Sequence, residues 1–518
     1  MTARKQTHRT SSWAAIAVPM IMVLGSLSLL PVVSGTSTGP ALMAPHHGFR
    51  GLDLTLVVHG HHLPSAQPSP YCVTDGRFNL GFMFICYTPQ DLKAAYNFPE
   101  HLNGSGQTIV IIGAWGSPTV QSDLDTFDAQ FHLPSTTVQI VCQGGPCPTV
   151  NLSDPNQVGS TQEIALDTQY SHAMAPGAHI VLYLTKHDDD LTLERGVQSA
   201  VTMFPHSIIS QSFGDPELDM KQGTCFLGTD LPNRVCSPAY VDKVLDTGEA
   251  AYRQAAHEGT TVFAGSGDWG ADNSPLGFTS ANPIYPSSSP WVTAVGGTMG
   301  NPYLLGANAS CGTHRVCSTG LVTFRNTPSC ELNTTTPNAN ASCIPVGYGG
   351  EQVWNEPAFG SATGGAPSLY FGTPAYQSGL GLTARTTPDI SIDAAVSGGV
   401  MIFWGAVPSL AGFYIQGGTS ASTPEWAGIA ALADQLAAEK HLGSIGFINP
   451  ALYLIGHIPW LYHRAFHDIR VGNNTVVGSP GNIGFNATRG WDDATGWGTP
   501  NVEALVPILV ALSWDQGD

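Results

Sequence analysis

Residues 107–115, QTIVIIGAW, decide the fold class of this chain. They form a short apolar run rich in isoleucine and valine, which is typical of a strand buried on both faces of a sheet. The following segment 120–131, VQSDLDTFDAQF, has the periodicity of a helix, and 136–141, TTVQIV, is again strand-like. Strand, helix and strand in this order predict a parallel sheet that helices cover on both faces.

The same alternation continues as far as residue 268. Helical patterns occupy 161–174, 193–204 and 239–259, and strand patterns occupy 179–184, 207–212 and 260–268. We therefore expect an α/β fold with a doubly wound, mainly parallel sheet. In such sheets the functional loops gather at the carboxyl ends of the strands.

Net charge excludes one class of partner. The chain has a formal net charge of −19 at pH 7 and no basic stripe to neutralise phosphates, so we expect no nucleic-acid partner. Only 11% of its residues are charged, so protonation of the carboxylates in acid changes the electrostatics of the protein little. This favours a protein that works in acidic surroundings. A secreted protein rich in Gly, Ser and Thr explains the same composition equally well.

Residues 1–35 have the layout of a secretory signal peptide, with basic residues before a long apolar run. We expect secretion and no stable membrane association after the signal is removed. An uncleaved anchor is the alternative, because the run is long enough to span a bilayer. Residues 36–84 then form an N-terminal extension, and the apolar run 502–514 is too short to span and predicts a packed helix.

Ten cysteines support export, since disulfides persist in oxidising compartments. Four of them lie in segment 300–350, which breaks the strand–helix alternation and predicts a disulfide-stapled surface insertion. Sequential pairing is the simplest prediction, although the sequence alone leaves the connectivity open. The pairs would be Cys72–Cys86, Cys142–Cys147, Cys225–Cys236, Cys311–Cys317 and Cys330–Cys343.

Residues 415–432, IQGGTSASTPEWAGIAAL, place small residues directly before a helical pattern. Proline is tolerated in the first turn of a helix, so Pro424 predicts that the helix begins within the four residues before it. Ser422 and Glu425 resemble a capping box, and the hydroxyls would then only cap the helix. Alternatively, Ser420 is a nucleophile at the positive helix end, where backbone N–H groups can stabilise an oxyanion.

Carboxylates offer a base for such a serine. Glu163 and Asp167 lie four residues apart on one face of the predicted helix 161–174. They are either two solvated surface acids or a pair that shares a proton at low pH. Asp268 follows a buried strand in a glycine-rich turn. It is either a turn residue or an acid that stays protonated and donates a hydrogen bond to an oxyanion.

A histidine base is the competing possibility. The chain contains 18 histidines, but it has neither a Gly-x-Ser-x-Gly elbow nor a glycine-flanked histidine motif. His172, on the same predicted helix as Glu163, is interpreted as a packed or solvated residue. A conventional His-dependent hydrolase is therefore the weaker interpretation.

Six motifs follow one another in the order found in the sedolisins, the serine-carboxyl peptidases. They are QEIALD (162–167), SQSFG (210–214), SGDWG (266–270), YPSSSPWVTAVGGT (285–298), TTPDISIDAA (386–395) and GGTSASTP (417–424). The chain resembles this family from about residue 87 to GWGTPNVEAL at 496–505. The resemblance implies a subtilisin-like fold and a peptidase domain that spans residues 85–518.

The resemblance also implies roles for single residues. Ser420 would be the nucleophile and Glu163 the general base, which then acts as acid. Asp167 would orient Glu163 and share its proton, and Asp268 would be the oxyanion-hole acid. A carboxylate base and a protonated oxyanion donor coexist only in acid. We therefore expect activity that peaks below about pH 5 and falls as the pH rises.

Two further sets of residues follow from the resemblance. Ser212, Phe213 and Gly214 match the segment whose backbone pairs with a bound peptide. The region 466–500 would bind one calcium ion, for which all-oxygen ligation with two carboxylates is suited. An Asp/Gly-rich turn without metal is the alternative. The ligands would be the carboxylates of Asp468 and Asp492 and the carbonyls of Ile469, Thr488 and Gly490.

Two features depart from the family pattern. Residues 36–84 are too few for the large propeptide that is usual in the family. Some relatives extend the chain of proton-sharing acids at the site with a further acidic residue and a tryptophan. In this sequence Gly113 and Phe213 occupy those two positions.

We therefore expect a secreted, monomeric endopeptidase that cleaves polypeptides in acid through an acyl-enzyme. A tripeptidyl-peptidase of the same family is the first alternative, and an inactive, calcium-stabilised binding protein is the second.

Overall fold

Eight strands build the central sheet of this computed structural model, which describes residues 54–56, 86–225, 235–273, 279–300, 316–318, 320–325, 344–476 and 481–513. In chain order they are β1 (Thr108–Ala114), β2 (Gln139–Cys142), β3 (His179–Thr185), β4 (Ile208–Gln211), β5 (Thr261–Gly265), β6 (Thr293–Gly300), β7 (Glu351–Val353) and β8 (Ile390–Asp393). The order across the sheet is β7-β6-β5-β4-β1-β3-β2, with β8 also paired to β6.

The strands are parallel except for β7, which runs antiparallel to β6. Along the chain, β1 comes first and β2 and β3 follow on one side of it. The chain then crosses over, and β4, β5 and β6 lie on the other side. The predicted doubly wound, mainly parallel sheet is therefore confirmed.

Helices cover both faces of this sheet. They are α1 (Pro89–Ala95), α2 (Val120–Phe131), α3 (Pro155–Met174), α4 (Asp190–Met203), α5 (Glu217–Gln222), α6 (Pro238–His257), α7 (Thr419–Glu439), α8 (Asn449–His457), α9 (Pro459–Ala465) and α10 (Val502–Ser513). Short 3₁₀ turns occupy Gly270–Asp272, Ala375–Leu380 and Pro408–Leu410.

The side chains of β1 divide the interior into two cores. Ile109 and Ile111 pack into one core with α2, α3 and α7, whereas Val110 and Ile112 pack into the other with α4 and α6. Successive side chains of a strand point to opposite faces, so an uninterrupted apolar run is what two covered faces require.

Smaller sheets surround the central one. Leu54–Leu56, Cys86–Tyr87, Gly399–Trp404 and Gly412–Gly417 form a four-stranded sheet. Val316–Ser318, Val322–Arg325 and Ile344–Tyr348, within the predicted insertion, form a three-stranded antiparallel sheet. Two-stranded pairs join Asn355–Glu356 to Ser361–Ala362, Phe466–His467 to Thr499–Pro500, and Asp215–Pro216 to Ile284–Tyr285.

Two of the predicted disulfides are present, Cys142–Cys147 and Cys225–Cys236. Each of the other three predicted pairs includes a residue outside the described part of the chain. The predicted signal segment 1–35 also lies outside it, as does most of 36–84, so secretion stays a prediction. Within the described residues, no helix combines the length and hydropathy needed to cross a bilayer.

The start of α7 corrects one prediction. The helix begins at Thr419 after Gly418, whose φ of 100° is a left-handed value that glycine tolerates. Ser422 lies inside the first turn and donates to the carbonyl of Asp393 over 3.0 Å. The predicted capping box of Ser422 and Glu425 is therefore wrong, because both residues belong to the helix itself and are buried against the sheet.

Candidate active site

The site lies at the carboxyl ends of neighbouring parallel strands. Ser212 directly follows β4 and Asp268 follows β5, and these two strands are hydrogen-bonded to each other. Helix α3 carries Glu163 and Asp167, and it packs along α7, which begins with Thr419 and Ser420. Parallel strands end at one edge of their sheet, so the topology delivers these residues to the same region.

Ser420 is the second residue of α7 and is fully buried. Its Oγ has no hydrogen-bond partner among the described residues. The backbone before it is tightly packed, because a Cβ at Gly417 would lie only 2.3 Å from the carbonyl oxygen of Ala395. The hydroxyl thus occupies the positive end of a helix in surroundings from which water is excluded.

Pro424 leaves a gap in the hydrogen bonding of α7. In a regular helix the N–H of residue 424 would donate to the carbonyl of Ser420, but proline has no N–H. The hydroxyl of Ser212 lies 3.5 Å from that carbonyl oxygen. A side chain from the loop after β4 therefore stands where the helix lacks its own donor.

Asp167 is bound by the same hydroxyl. Ser212 Oγ donates to Asp167 Oδ1 over 2.7 Å, and Asp167 is only 2% exposed. Burial raises the pKa of Asp167 well above the usual range of an aspartate, and the hydrogen bond from Ser212 opposes part of that rise. The carboxyl is thus neutral in acid solution.

Glu163 precedes Asp167 by one helical turn. The two side chains lie on one face of α3, about 6 Å apart along the helix axis. Glu163 is buried as well, with 3% of its surface exposed. The prediction that these two acids share a helix face therefore holds in the structure, and the alternative of two solvated surface acids is wrong.

Asp268 accepts two hydrogen bonds from the first residue of α7. Its Oδ1 accepts from the N–H of Thr419 over 2.8 Å and from the Thr419 hydroxyl over 3.1 Å. The Thr419 hydroxyl in turn accepts from the N–H of Gly267 over 3.1 Å. Asp268 is therefore tied to the residue immediately before Ser420, on the helix that packs against α3, β4 and β5.

The segment 212–214 is fixed by packing. A Cβ at Gly214 would lie 2.1 Å from Ile284 Cγ2 and 2.6 Å from the carbonyl oxygen of Tyr285, so only glycine fits. Phe213 is buried in the core beside α4 and α6. At position 113 a Cβ would meet Ile164 Cγ1 at 3.3 Å, so apolar packing fills the place where some relatives carry an acid.

His172 lies away from this site. It is nine residues after Glu163 on α3, a rise of about 13 Å. Its Nε2 lies 2.8 Å from the carbonyl oxygen of Pro134 and 3.3 Å from Asp128. Burial lowers the pKa of His172 to about 4, which suits a packed, neutral ring.

Three buried acids, one on α7 and two next to it, were not expected from the sequence. Glu351, Asp393 and Glu425 are buried, and burial is the main cause that raises the pKa of each. Tyr96 joins two of them, because its hydroxyl donates to Glu351 over 2.7 Å and accepts from the N–H of Asp393 over 2.9 Å. The sequence carried one signal, an acidic residue at 425 directly before the apolar segment 426–433.

The five predicted calcium ligands do gather in one region. The N–H of Gly490 donates to Asp468 over 3.0 Å, and that of Thr488 donates to Asp492 over 2.9 Å. Ile469 is buried beside Ala494. Elsewhere in the described residues, Asp190, Asp215 and Cys225 approach one another closely, but the Cys225 sulfur is bonded to Cys236 and is no thiolate ligand.

Donors of the chain itself already use most lone-pair directions of both carboxylates, so these carboxylates do not fit a metal ion. Asp468 Oδ1 accepts from the Tyr462 hydroxyl and from the N–H of Gly490, and Oδ2 accepts from the Nε and Nη2 groups of Arg470. A carboxylate offers about four lone-pair directions, so these donors occupy all of them. Asp492 Oδ1 accepts from the N–H groups of Ala494 and Thr495 and from the Thr495 hydroxyl, whereas Oδ2 accepts from the N–H of Thr488, so one lone-pair direction of Oδ2 stays open among the described residues.

Comparison with known proteins places this site in context. No family model matches the chain. The sequence is similar to kumamolisin of Bacillus sp. (strain MN-32), with 29% identity over 448 residues that cover 83% of this chain and 65% of the relative. It is similar to sedolisin of Pseudomonas sp. (strain 101), with 27% identity over 435 residues that cover 81% of this chain and 60% of the relative.

A third relative is tripeptidyl-peptidase 1 of Bos taurus, with 31% identity over 262 residues, 50% of this chain and 38% of the relative. The chain thus spans 65% or less of the length of these three relatives. The solved structure of Pseudomonas sedolisin, a serine-carboxyl proteinase complexed with two molecules of pseudo-iodotyrostatin, matches with a TM-score of 0.61 and 25% identity. That match covers 83% of this chain and 100% of the other.

Proposed function

The chain belongs to the sedolisin family, and from this premise we propose that it hydrolyses polypeptides in acid solution with Ser420 as the nucleophile. One observation supports the proposal most directly, namely the contacts that tie two acids to the start of α7. Asp167 accepts a hydrogen bond from Ser212, whose hydroxyl lies 3.5 Å from the carbonyl oxygen of Ser420. Asp268 accepts a hydrogen bond from the N–H of Thr419. Two carboxyl groups, one of them through the Ser212 hydroxyl, thereby contact the start of the helix that carries the proposed nucleophile.

The proposed reaction has two halves. Glu163 accepts the proton of Ser420 Oγ, which attacks the carbonyl carbon of the scissile peptide bond. Glu163 then gives this proton to the leaving amine, and an acyl-enzyme remains. Water loses a proton to Glu163 and attacks the ester, and Ser420 Oγ leaves with the proton that Glu163 returns.

Asp167 positions Glu163 in this scheme. Its raised pKa keeps it protonated in acid, so it can donate a hydrogen bond to the Glu163 carboxylate one turn away. Ser212 fixes the opposite oxygen of Asp167 and prevents rotation of the carboxyl group. A neutral partner of this kind orients the base without repelling its charge.

Asp268 stabilises the tetrahedral intermediate. Protonated, it donates a hydrogen bond to the oxyanion while its Oδ1 still accepts from Thr419. Ionised, it would repel the oxyanion. We therefore assign the loss of activity toward neutral pH to this residue.

We propose endopeptidase activity, and tripeptidyl-peptidase activity is the second candidate because relatives of both kinds resemble this chain. Matched peptides with free and with acetylated N-termini separate the two. An endopeptidase cleaves both forms, whereas a tripeptidyl-peptidase needs the free amine and releases three-residue fragments.

The proposal is tested by acid proteolysis with the purified full chain. Ser420→Ala and Glu163→Gln should each lower kcat by about 10³-fold or more. Ser422→Ala is the matched control, because this hydroxyl lies on the same helical turn but bonds to the carbonyl of Asp393. Undiminished cleavage by the first two variants would overturn the mechanism.

A further inference from the structure

An arginine lies where the family resemblance places a calcium ion. Arg470 Nε and Nη2 lie 2.6 Å and 2.5 Å from Asp468 Oδ2. The Asp468 side chain is 7% exposed and that of Arg470 is 53% exposed, so a largely buried carboxylate is paired with an arginine side chain that reaches solvent. The positive charge that Asp468 needs is therefore supplied by the chain itself.

The rest of this region is held by protein donors. The N–H of Asn474 donates to the carbonyl of Phe485 over 3.1 Å, and that of Ala487 donates to the carbonyl of Gly472 over 3.0 Å. The pairing of Phe466–His467 with Thr499–Pro500 closes the base of both loops. These bonds connect the two halves of the predicted calcium region without a metal ligand.

A divalent cation would face two costs here. It would have to displace Arg470 from Asp468 Oδ2, and it would then share the site with a nearby like charge, which is repulsive. At Asp492 it would find one open lone-pair direction, on Oδ2, and it would have to displace an N–H or hydroxyl donor to gain a second.

We propose that Arg470 is a built-in counter-ion that replaces the dissociable divalent cation, so that the C-terminal region of this chain folds independently of calcium. The statement concerns binding and stability, and it stands or falls separately from the proposed catalytic mechanism. An exposed arginine is readily substituted, which makes the proposal direct to test.

The experiment compares the full chain with Arg470→Gln, Arg470→Lys and Arg489→Gln. Arg489 is the matched control, since it is an exposed arginine of the same region and is not a donor to either carboxylate among the described residues. Thermal unfolding is measured in EDTA and in millimolar calcium, at about pH 6 so that ordinary aspartates are ionised. Binding is measured separately with terbium, whose emission Trp491 beside Asp492 can sensitise.

We expect the wild type, Arg470→Lys and Arg489→Gln to unfold at the same temperature in EDTA and in calcium. Arg470→Gln should unfold several degrees lower in EDTA, regain the difference in calcium, and bind terbium at least about tenfold more tightly than the wild type. The proposal is wrong if the wild type loses thermal stability in EDTA. It is also wrong if Arg470→Gln responds to calcium no more than Arg489→Gln does.

Discussion

Ser212 donates a hydrogen bond to Asp167 over 2.7 Å, although the two residues are 45 positions apart in the chain. The same hydroxyl lies 3.5 Å from the carbonyl oxygen of Ser420, which Pro424 leaves without a helical donor. Ser212 therefore connects the proposed orienting acid to the peptide of the proposed nucleophile. It also lowers the pKa of Asp167 against the effect of burial.

Removing this hydroxyl should change the pH dependence of catalysis. In Ser212→Ala the pKa of Asp167 rises further, so the acid stays protonated to higher pH. The lost bond should lower kcat by about tenfold, equivalent to the usual 0.5–1.5 kcal/mol of one hydrogen bond. The measurement is a pH profile of kcat and kcat/KM.

Ser210→Ala is the control, because this buried hydroxyl, on β4 two residues before Ser212, has no hydrogen-bond partner among the described residues. Its profile should match that of the wild type. Equal profiles for Ser212→Ala and the wild type would contradict the connecting role of Ser212.

Substitutions of Asp268 should separate its hydrogen bonding to Thr419 from its proposed donation to the oxyanion. Asn keeps an acceptor for Thr419 and always carries a donor, so Asp268→Asn should stay active and lose activity less steeply above pH 5 than the wild type does. Asp268→Ala removes the donor and should lower kcat by about 10²–10³-fold. Folded Asp268→Asn protein that is as inactive as Asp268→Ala at every pH would argue against an oxyanion donor.

The three buried acids on and next to α7 should make the fold itself depend on pH. No arginine, lysine or histidine of the described residues forms an ion pair with Glu351, Asp393 or Glu425. Their folded pKa values are raised, so above the ordinary carboxyl range the unfolded chain binds fewer protons than the folded chain. Stability is then fully present in acid and is lost as the pH rises through the folded pKa values, by up to about 1.4 kcal/mol per pH unit for each group.

Glu425→Leu should weaken this dependence. Both of its carboxyl oxygens lack hydrogen-bond partners among the described residues, so an apolar side chain loses little. Urea unfolding at pH values from 4 to 7 should show a smaller decline of the unfolding free energy in this variant, by about 1 kcal/mol per pH unit. Glu439→Gln, an exposed acid at the end of the same helix, is the control, and it should decline like the wild type. The same slope in Glu425→Leu and in Glu439→Gln would refute the explanation.

His172 should be dispensable for catalysis. Burial lowers its pKa to about 4 and raises that of the neighbouring Asp128 to about 7, so both groups are neutral near pH 5. His172→Gln should keep kcat and lose about 1–3 kcal/mol of stability, because a buried hydrogen bond to Pro134 is disturbed. Steady-state kinetics and thermal unfolding of the same sample check this. A loss of kcat comparable to that of Glu163→Gln would favour a histidine mechanism instead.

The sheet could be predicted from the sequence because its strands are buried on both faces and therefore read as unbroken apolar runs. The predicted helix 120–131 has the bounds of α2. The predicted helix 161–174 begins six residues earlier, at Pro155. Its start carried a recognisable signal, since Asp154 caps the helix by accepting from the N–H of Asn156 over 3.0 Å.

The buried acids and the counter-ion could not be predicted, for a physical reason. Whether a carboxylate is neutral, paired or solvated depends on what the fold brings next to it, and local sequence does not contain that information. Glu425 looked like a capping residue because of its spacing from Ser422. Arg470 looked like a loop residue, and its importance appears only when its guanidinium is seen on Asp468.

The buried carboxyl groups on and next to α7 would also limit where the proposed peptidase can act. A molecule transferred from acidic to neutral surroundings would acquire negative charges in its own interior, on and beside the helix that carries Ser420. It would then lose the proposed activity without an inhibitor, and proteins in neutral surroundings would not be cleaved.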